Sequence, residues 1–122
     1  MKLETGIDLI EISRIVRSIK NENFVRRVFS QQEQELFAKR GGSTQTIAAN
    51  FAAKEAFAKA MGTGFRGFAL NEVSLLRDEQ GKPYYSFSGA ALQAVKQNNL
   101  TFTVSVTHTK EYAAAVAVCY AE

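Results

Sequence analysis

Apolar residues recur along the chain with two different periods, which separate strands from helices. Residues 3–9 form a short apolar segment, interrupted by Gly6 and Asp8, that predicts a strand ending near Asp8. Apolar side chains then recur at spacings of three and four residues, with basic side chains between them. The apolar positions are Ile12, Ile15, Val16 and Ile19. This pattern is typical of an amphipathic helix with a cationic outer face.

Two further helices are predicted from the signals at their ends. Ser30 followed by Glu33 is a capping-box pattern that opens a polar helix, and the glycine pair 41–42 ends it. The next helix begins near residues 44–46 and stops at Gly62. It is the least polar of the predicted helices.

The second half of the chain predicts two hairpins around one short helix. The segments are a strand at 72–77, an aromatic strand from Pro83, a helix at 90–95, and strands at 101–107 and 112–120. No repeated strand-helix-strand crossover occurs, so the order predicts an α+β domain with a mainly antiparallel sheet. The length of 122 residues predicts a single domain, 1–122.

Composition and charge narrow the classes of partner. The chain has 15 Lys and Arg against 12 Asp and Glu, a formal net charge of +3. This mild excess favours anionic partners, but without zinc-ligand spacing, an aromatic RNA-binding signature or a strongly basic arm we expect no nucleic acid. The single cysteine, Cys119, lies in an apolar run and predicts a buried thiol in a reducing compartment. Early charges and short apolar runs predict a cytoplasmic protein with no membrane partner.

The low-polarity helix carries its few charges unevenly. At about 100° per residue, Glu55 and Lys59 share a stripe with alanines, and Lys54 lies well off it. The ordinary interpretation is an exposed ion pair contributing about 0.3–0.5 kcal/mol. The flanking alanines favour instead a partly enclosed place for an anion or a metal.

Two other positions have both a structural and a functional interpretation. Asp8, at a strand-to-helix junction, is usually a helix cap, but with Glu55 it would make a hard oxygen site suited to Mg²⁺. His108, the only histidine, is ordinarily a hydrogen-bonded structural residue. The hydroxyls of Thr107 and Thr109 beside it would suit phosphate or ribose. The residues alone leave these alternatives open.

Basic side chains are concentrated near the first helix. They are Arg14, Arg17, Lys20, Arg26 and Arg27. A solvated cationic face is the default for an amphipathic helix, and docking of an acidic partner is the alternative.

Five separated segments occur in the order and at the spacing of one protein family. They are residues 6–12 with Arg14, residues 51–56 with Lys59, and residues 62–64, 81–83 and 104–115. The chain resembles the bacterial holo-acyl-carrier-protein synthases, and the resemblance extends from near the first residue to near the last. It implies a phosphopantetheinyl transferase fold that assembles as a homotrimer, with each active site between neighbouring subunits.

The resemblance also implies roles for particular residues. Asp8 and Glu55 would coordinate magnesium and, with Lys59, form the catalytic group. Coenzyme A would be contacted by Lys59, Gly62, Thr107, His108 and Thr109, the last three from across the interface. Arg14, Arg17 and Lys20 would dock the acidic acyl carrier protein.

The implied reaction moves the 4′-phosphopantetheine group from coenzyme A to a serine of the apo carrier and releases adenosine 3′,5′-bisphosphate, in support of fatty acid biosynthesis. Glu55 is the nearer candidate for the general base. One rival is a non-catalytic adaptor that binds acidic proteins through the basic helix, and another is a magnesium-dependent hydrolase of coenzyme A.

The sequence departs from the family pattern at two places. Asn50 stands where many members have arginine, which implies a missing phosphate contact and puts coenzyme A affinity in doubt. Residues 41–43 are Gly-Gly-Ser where basic residues are common, so Lys39 or Arg40 would supply the charge instead.

Overall fold

The computed structural model describes residues 1–121 as alternating strands and helices. In chain order they are β1 (Lys2–Glu11), α1 (Ile12–Ser18), α2 (Glu22–Val28), α3 (Gln31–Lys39), α4 (Thr44–Met61), a 3₁₀ turn (Leu70–Glu72), β2 (Val73–Arg77), β3 (Pro83–Phe87), α5 (Gly89–Gln97), β4 (Thr101–His108) and β5 (Tyr112–Ala121).

The strands form two antiparallel sheets. The larger has the order β1-β5-β4 and the smaller pairs β2 with β3, so both predicted hairpins and the α+β class are confirmed. Strand β5 lies between β1 and β4 and pairs with both, so that Ala115 stands opposite Asp8 on one side and Val106 on the other. The register fixes which strand residues share a face, since side chains alternate between the two faces of a sheet.

Helix α2 was not predicted from the sequence. Its cap is Asn21, whose side-chain oxygen accepts hydrogen bonds from the backbone amides of Asn23 and Phe24. Helix α1 accordingly ends at Ser18, and Lys20 lies beyond it. Arg26 and Arg27 belong to the separate helix α2 and are not part of the cationic face of the first helix.

The capping box of α3, by contrast, is confirmed: Ser30 and Glu33 cap each other's backbone amides.

Helix α4 packs across one face of the larger sheet and forms the centre of the core. It contacts β1, β5, β4 and β2. Phe57, fully buried on α4, meets Phe87 and Phe102 at ring-centroid distances of 5.1 and 4.7 Å. All the alanines of α4 are also buried. Because alanine adds only a methyl group, these positions let the helix backbone approach the sheet closely.

The closest approach of α4 to the sheet occurs at Gly6 of β1. A Cβ atom built on Gly6 would overlap the carbonyl oxygen of Ala56 and lie 2.7 Å from the amide nitrogen of Ala60. No side chain fits there without moving the helix. Ala56 follows Glu55 and Ala60 follows Lys59, so this contact fixes the height of both charged residues above β1.

The opposite face of the larger sheet is not covered by any element of residues 1–121. Leu3, Ile7 and Leu9 of β1 point there and are 62%, 67% and 66% exposed. Their cross-strand neighbours on β5 include Val116 and Ala114. We call this surface the outer face. A contiguous apolar surface on a sheet is typical of a site of association.

None of the helices within residues 1–121 is long and apolar enough to cross a membrane.

Substituting Gly6 with alanine should lower the free energy of unfolding by about 1–3 kcal/mol, because the added methyl group forces α4 away from β1. Urea denaturation measures the change. Gln93→Ala, an exposed change on α5, is the matched control and should remain near wild-type stability. A Gly6→Ala variant as stable as the control would contradict the close packing described here.

Candidate functional site

Charged side chains from β1 and α4 meet above the contact at Gly6. The Nζ atom of Lys59 donates a hydrogen bond to the carbonyl oxygen of Ile7 at 2.9 Å and lies 3.3 Å from Oδ1 of Asp8. The Asp8 side chain is 18% exposed and that of Lys59 is 56% exposed. The strand therefore holds the carboxylate in a confined position, while the lysine reaches it from a more open one.

Glu55 belongs to the same cluster. Burial raises the pKa of its carboxyl, and the nearby carboxylate of Asp8 raises the pKa further. Lys59 and Arg14 act in the opposite direction. Two carboxylates and two cationic side chains therefore lie close enough for their charges to interact, which agrees with the stripe predicted for Glu55 and Lys59.

The simpler interpretations of these acids do not match the structure. Asp8 is not a helix cap, because Glu11 occupies the N-cap of α1 and makes no side-chain cap hydrogen bond. Within residues 1–121 the ion pair of Lys59 is made with Asp8 and not with Glu55. The predicted surface pair within α4 is thus replaced by a contact between helix and strand.

The donor set of the cluster suits a divalent hard cation. Asp8 and Glu55 supply carboxylate oxygens, and the pKa of Glu55 is raised first by its burial and then by the nearby charge of Asp8. Mg²⁺ is commonly bound by one or two carboxylates, with phosphate oxygens and water completing its shell. No group of three or more His, Cys, Asp or Glu side chains that could hold a metal occurs in residues 1–121. The residues present fit magnesium with two protein ligands.

The residues predicted to contact coenzyme A fall into two places. Gly62 caps the C-terminus of α4 with φ +76°, a left-handed conformation that glycine adopts without strain, and it follows Lys59 by one turn. Thr107, His108 and Thr109 lie instead at the exposed end of β4. In the described residues no hydrogen bond links that segment to Asp8, Glu55 or Lys59, and β5 separates it from β1.

The basic residues Arg14, Arg17 and Lys20 are all exposed. Arg14, in α1, is the one that also affects the pKa of Glu55. The cationic surface of α1 therefore borders the cluster around Asp8. The sequence predicted Arg14 only as part of this cationic surface and not as a neighbour of Glu55. The signal was its place in the first helical turn after the strand that carries Asp8.

Lys54, which the sequence left without a role, is fully buried and lies about 100° around α4 from Glu55. Its Nζ donates hydrogen bonds to Oε1 of Glu33 and to the carbonyl oxygens of Leu70 and Val73. Burial lowers the pKa of Lys54, and the charge of Glu33 opposes that shift. Every donor of the ammonium has an acceptor, so α4 is tied at this point to α3 and to the start of β2.

Glu33 is the centre of that buried network. Its carboxylate caps Ser30, pairs with Lys54, and accepts hydrogen bonds from the Asn50 side chain at 2.9 Å and the Leu75 amide at 3.3 Å. A residue predicted only as part of a capping box thus joins α3, α4 and β2. The signal available in the sequence was Lys54, a charged residue on the predicted helix of lowest polarity that lies off the stripe of Glu55 and Lys59.

Asn50 belongs to this interior network and does not face the cluster. Its side chain donates to Glu33 and to the carbonyl oxygen of Leu75, accepts from Arg77, and is 0% exposed. At about 100° per residue it lies on the side of α4 opposite Lys59. The Asn50 amide therefore satisfies buried partners in this chain, and the predicted absence of a phosphate contact at this position stays a prediction.

Comparisons with known proteins agree on one family. The sequence profile of the 4′-phosphopantetheinyl transferase superfamily matches residues 4–117. A holo-[acyl-carrier-protein] synthase of Clostridium botulinum is 44% identical over 114 residues, which are 93% of each chain.

Solved structures of similar proteins have the same fold. The holo-[acyl-carrier-protein] synthase from Neisseria meningitidis superposes with a TM-score of 0.89 at 29% identity, covering 97% of this chain and 98% of that one. A holo-(acyl-carrier-protein) synthase from Bacillus anthracis in complex with CoA (3′,5′-ADP) gives a TM-score of 0.79 at 31% identity, covering 95% and 94%.

Replacing Lys54 with methionine should lower the free energy of unfolding by about 3–5 kcal/mol, because Glu33 is left buried without its counter-charge. The double variant Lys54→Met with Glu33→Gln removes both charges and should recover most of the loss. Lys39→Met, at an exposed lysine of α3, is the control. Urea denaturation measures all three. A single Lys54→Met variant that loses less than about 1 kcal/mol would contradict the buried pair.

Proposed function

The chain belongs to the 4′-phosphopantetheinyl transferase superfamily, and from that premise we propose that it is a holo-acyl-carrier-protein synthase. It transfers the 4′-phosphopantetheine group of coenzyme A to a serine of an apo acyl carrier protein. The observation that carries the proposal is that Asp8 of β1 lies beside Glu55 and Lys59 of α4. The chain that holds this cluster also has synthase relatives over almost its whole length.

In this reaction the serine oxygen forms a bond to the β-phosphorus of coenzyme A. The bond from that phosphorus to the bridging oxygen breaks, its electron pair leaves with adenosine 3′,5′-bisphosphate, and the serine proton passes to a base. No covalent enzyme intermediate is needed. The main demand on the protein is therefore to position the diphosphate and to offset its negative charge.

Asp8 and Glu55 would hold magnesium. When bound, the ion would supply positive charge to the diphosphate and stabilise the leaving phosphate. Lys59 adds a positive charge from the same helix, and its exposure lets it turn from Asp8 towards a phosphate oxygen. Asp8, confined by β1 and its neighbours, keeps the donor set in place.

We assign docking of the acyl carrier protein to Arg14, Arg17 and Lys20. All three cations are exposed and Arg14 borders the charged cluster, so an acidic partner that binds them would bring its serine close to Asp8 and Glu55. Charge complementarity of this kind raises the rate of association and orients the partner. The product, a holo carrier, would serve fatty acid biosynthesis, and a cytoplasmic location stays a prediction from the sequence.

We further propose that three copies assemble through the outer face. Its exposed leucine and isoleucine side chains on β1 lie beside valine and alanine of β5, and together they form an apolar surface. Thr107 shares this face, in the same row as Leu9 and Ala114. Assembly through the face would bring the 107–109 segment of one copy towards the charged cluster of its neighbour.

The transferase proposal is tested by incubating the protein with coenzyme A, magnesium and an apo carrier, then weighing the carrier by mass spectrometry. We expect the carrier to gain the mass of phosphopantetheine. Asp8→Asn and Glu55→Gln should each slow transfer by at least about a hundredfold, because each loses a charged oxygen ligand. Glu79→Gln, in the exposed β2–β3 turn, is the matched control.

Three outcomes of that assay contradict the proposal in different ways. A carrier of unchanged mass favours the adaptor, and release of adenosine 3′,5′-bisphosphate without a mass gain favours the hydrolase. Near wild-type transfer by both Asp8→Asn and Glu55→Gln would exclude these two residues as metal ligands.

Ile7→Glu should convert the assembly to monomers and reduce transfer, because it places a charge on an apolar surface that association would bury. Light scattering after size-exclusion chromatography measures the mass. Gln80→Glu adds the same charge in the β2–β3 turn and should leave the trimer intact. A wild-type protein that is monomeric at assay concentration would overturn the assembly.

A further inference from the structure

Lys59 occupies the carboxylate that the proposed metal site needs. Its ammonium lies 3.3 Å from Oδ1 of Asp8 and donates to the carbonyl oxygen of Ile7 at 2.9 Å. The side chain of Asp8 is confined, whereas that of Lys59 is more than half exposed. Of the two partners, Lys59 is the one that is free to move.

The ammonium also offsets part of the charge that would attract a metal. Asp8 and Glu55 place two negative charges together. Lys59 forms an ion pair with Asp8 and also lowers the pKa of Glu55. A divalent cation on Asp8 would meet the positive charge of Lys59 at short range in a partly buried place, where repulsion is poorly screened. The cation and the ammonium therefore compete for the same oxygen.

We propose that Lys59 is a built-in competitor of the metal ion. It holds Asp8 while coenzyme A is absent, and it leaves Asp8 for a phosphate oxygen when metal and coenzyme A bind. This inference rests on the proposed function and adds to it a coupling between the binding of the metal and the binding of coenzyme A. The empty site binds a divalent cation weakly, and the site filled with a diphosphate binds it well.

The same contact couples the two ligands. An anion that draws Lys59 away from Asp8 removes a competitor and so raises the affinity for the metal. By thermodynamic reciprocity, the metal raises the affinity for that anion by the same factor. Lys59 thus adds to whatever coupling arises from direct contact between the metal and the diphosphate.

The size of the effect follows from the exposure of the pair. An ion pair with one exposed partner contributes a factor of about two to five to an equilibrium constant, and removal of the like charge adds to it. The Lys59→Met variant keeps the length of the side chain and removes the ammonium. In the absence of coenzyme A it should bind a divalent cation about three- to tenfold more tightly than wild type.

The experiment titrates Mn²⁺ into the intact protein without coenzyme A and follows free Mn²⁺ by electron paramagnetic resonance. Arg14→Met is the matched control, because Arg14 also affects Glu55 but makes no ion pair with Asp8 in the described residues. We expect Lys59→Met to bind Mn²⁺ more tightly and Arg14→Met to change the affinity by less than twofold or so. Repeating the titration with saturating coenzyme A should raise the affinity of wild type by a larger factor than that of Lys59→Met.

Each result bears on one claim. Unchanged or weaker Mn²⁺ binding by Lys59→Met overturns the competition, as does an equal gain in Arg14→Met, which would indicate a general field and not a contact. A coenzyme A effect of the same size in wild type and Lys59→Met overturns the coupling. If wild type binds Mn²⁺ no better than Asp8→Asn, the metal site itself is wrong, which is a separate failure of the proposed function.

Discussion

The contact of α4 with β1 at Gly6 is the constraint on which the rest of the structure depends. The helix backbone can lie this close to the strand only because residue 6 has no side chain and the facing helix residues are alanines. Such a short separation places residues 55 and 59 within reach of a short aspartate on the strand. A longer separation would leave Asp8 and Glu55 as two unrelated surface acids.

A close contact fixes the height of a helix but leaves its rotation free. The buried pair of Lys54 and Glu33 supplies that second constraint from the other side of α4. Replacing a buried ion pair by apolar residues is often neutral for stability, so its value lies in the geometry that it specifies. Three acceptors hold the ammonium of Lys54, so α4 has one rotation about its axis in which its buried polar groups are hydrogen-bonded. In that rotation Glu55 lies on the side of the helix near Asp8.

How much of this could be predicted from the sequence depends on the range of the interactions. Strands, hairpins and most helices followed from periodicity and end signals, which are local. Helix α2 was missed because it is short and begins at a cap that resembles a turn residue. The partners of Lys54 and Asn50 lie on other elements, so no spacing could reveal them. The pairing of Asp8 with Glu55 needed the family's motif order, since the residues alone supported a cap and a surface pair.

The small size of the domain explains why the candidate site is open in a single copy of the chain. Helix α4 covers one face of the larger sheet, and the remaining helices and the smaller sheet pack around that helix. No element of residues 1–121 therefore covers the outer face. Asp8 lies on edge strand β1, while the hydroxyl-rich end of β4 lies across β5 on the far edge. Within residues 1–121 no hydrogen bond joins these two groups. The proposed association of copies would bring such groups together, and the apolar outer face is the surface whose burial would drive it.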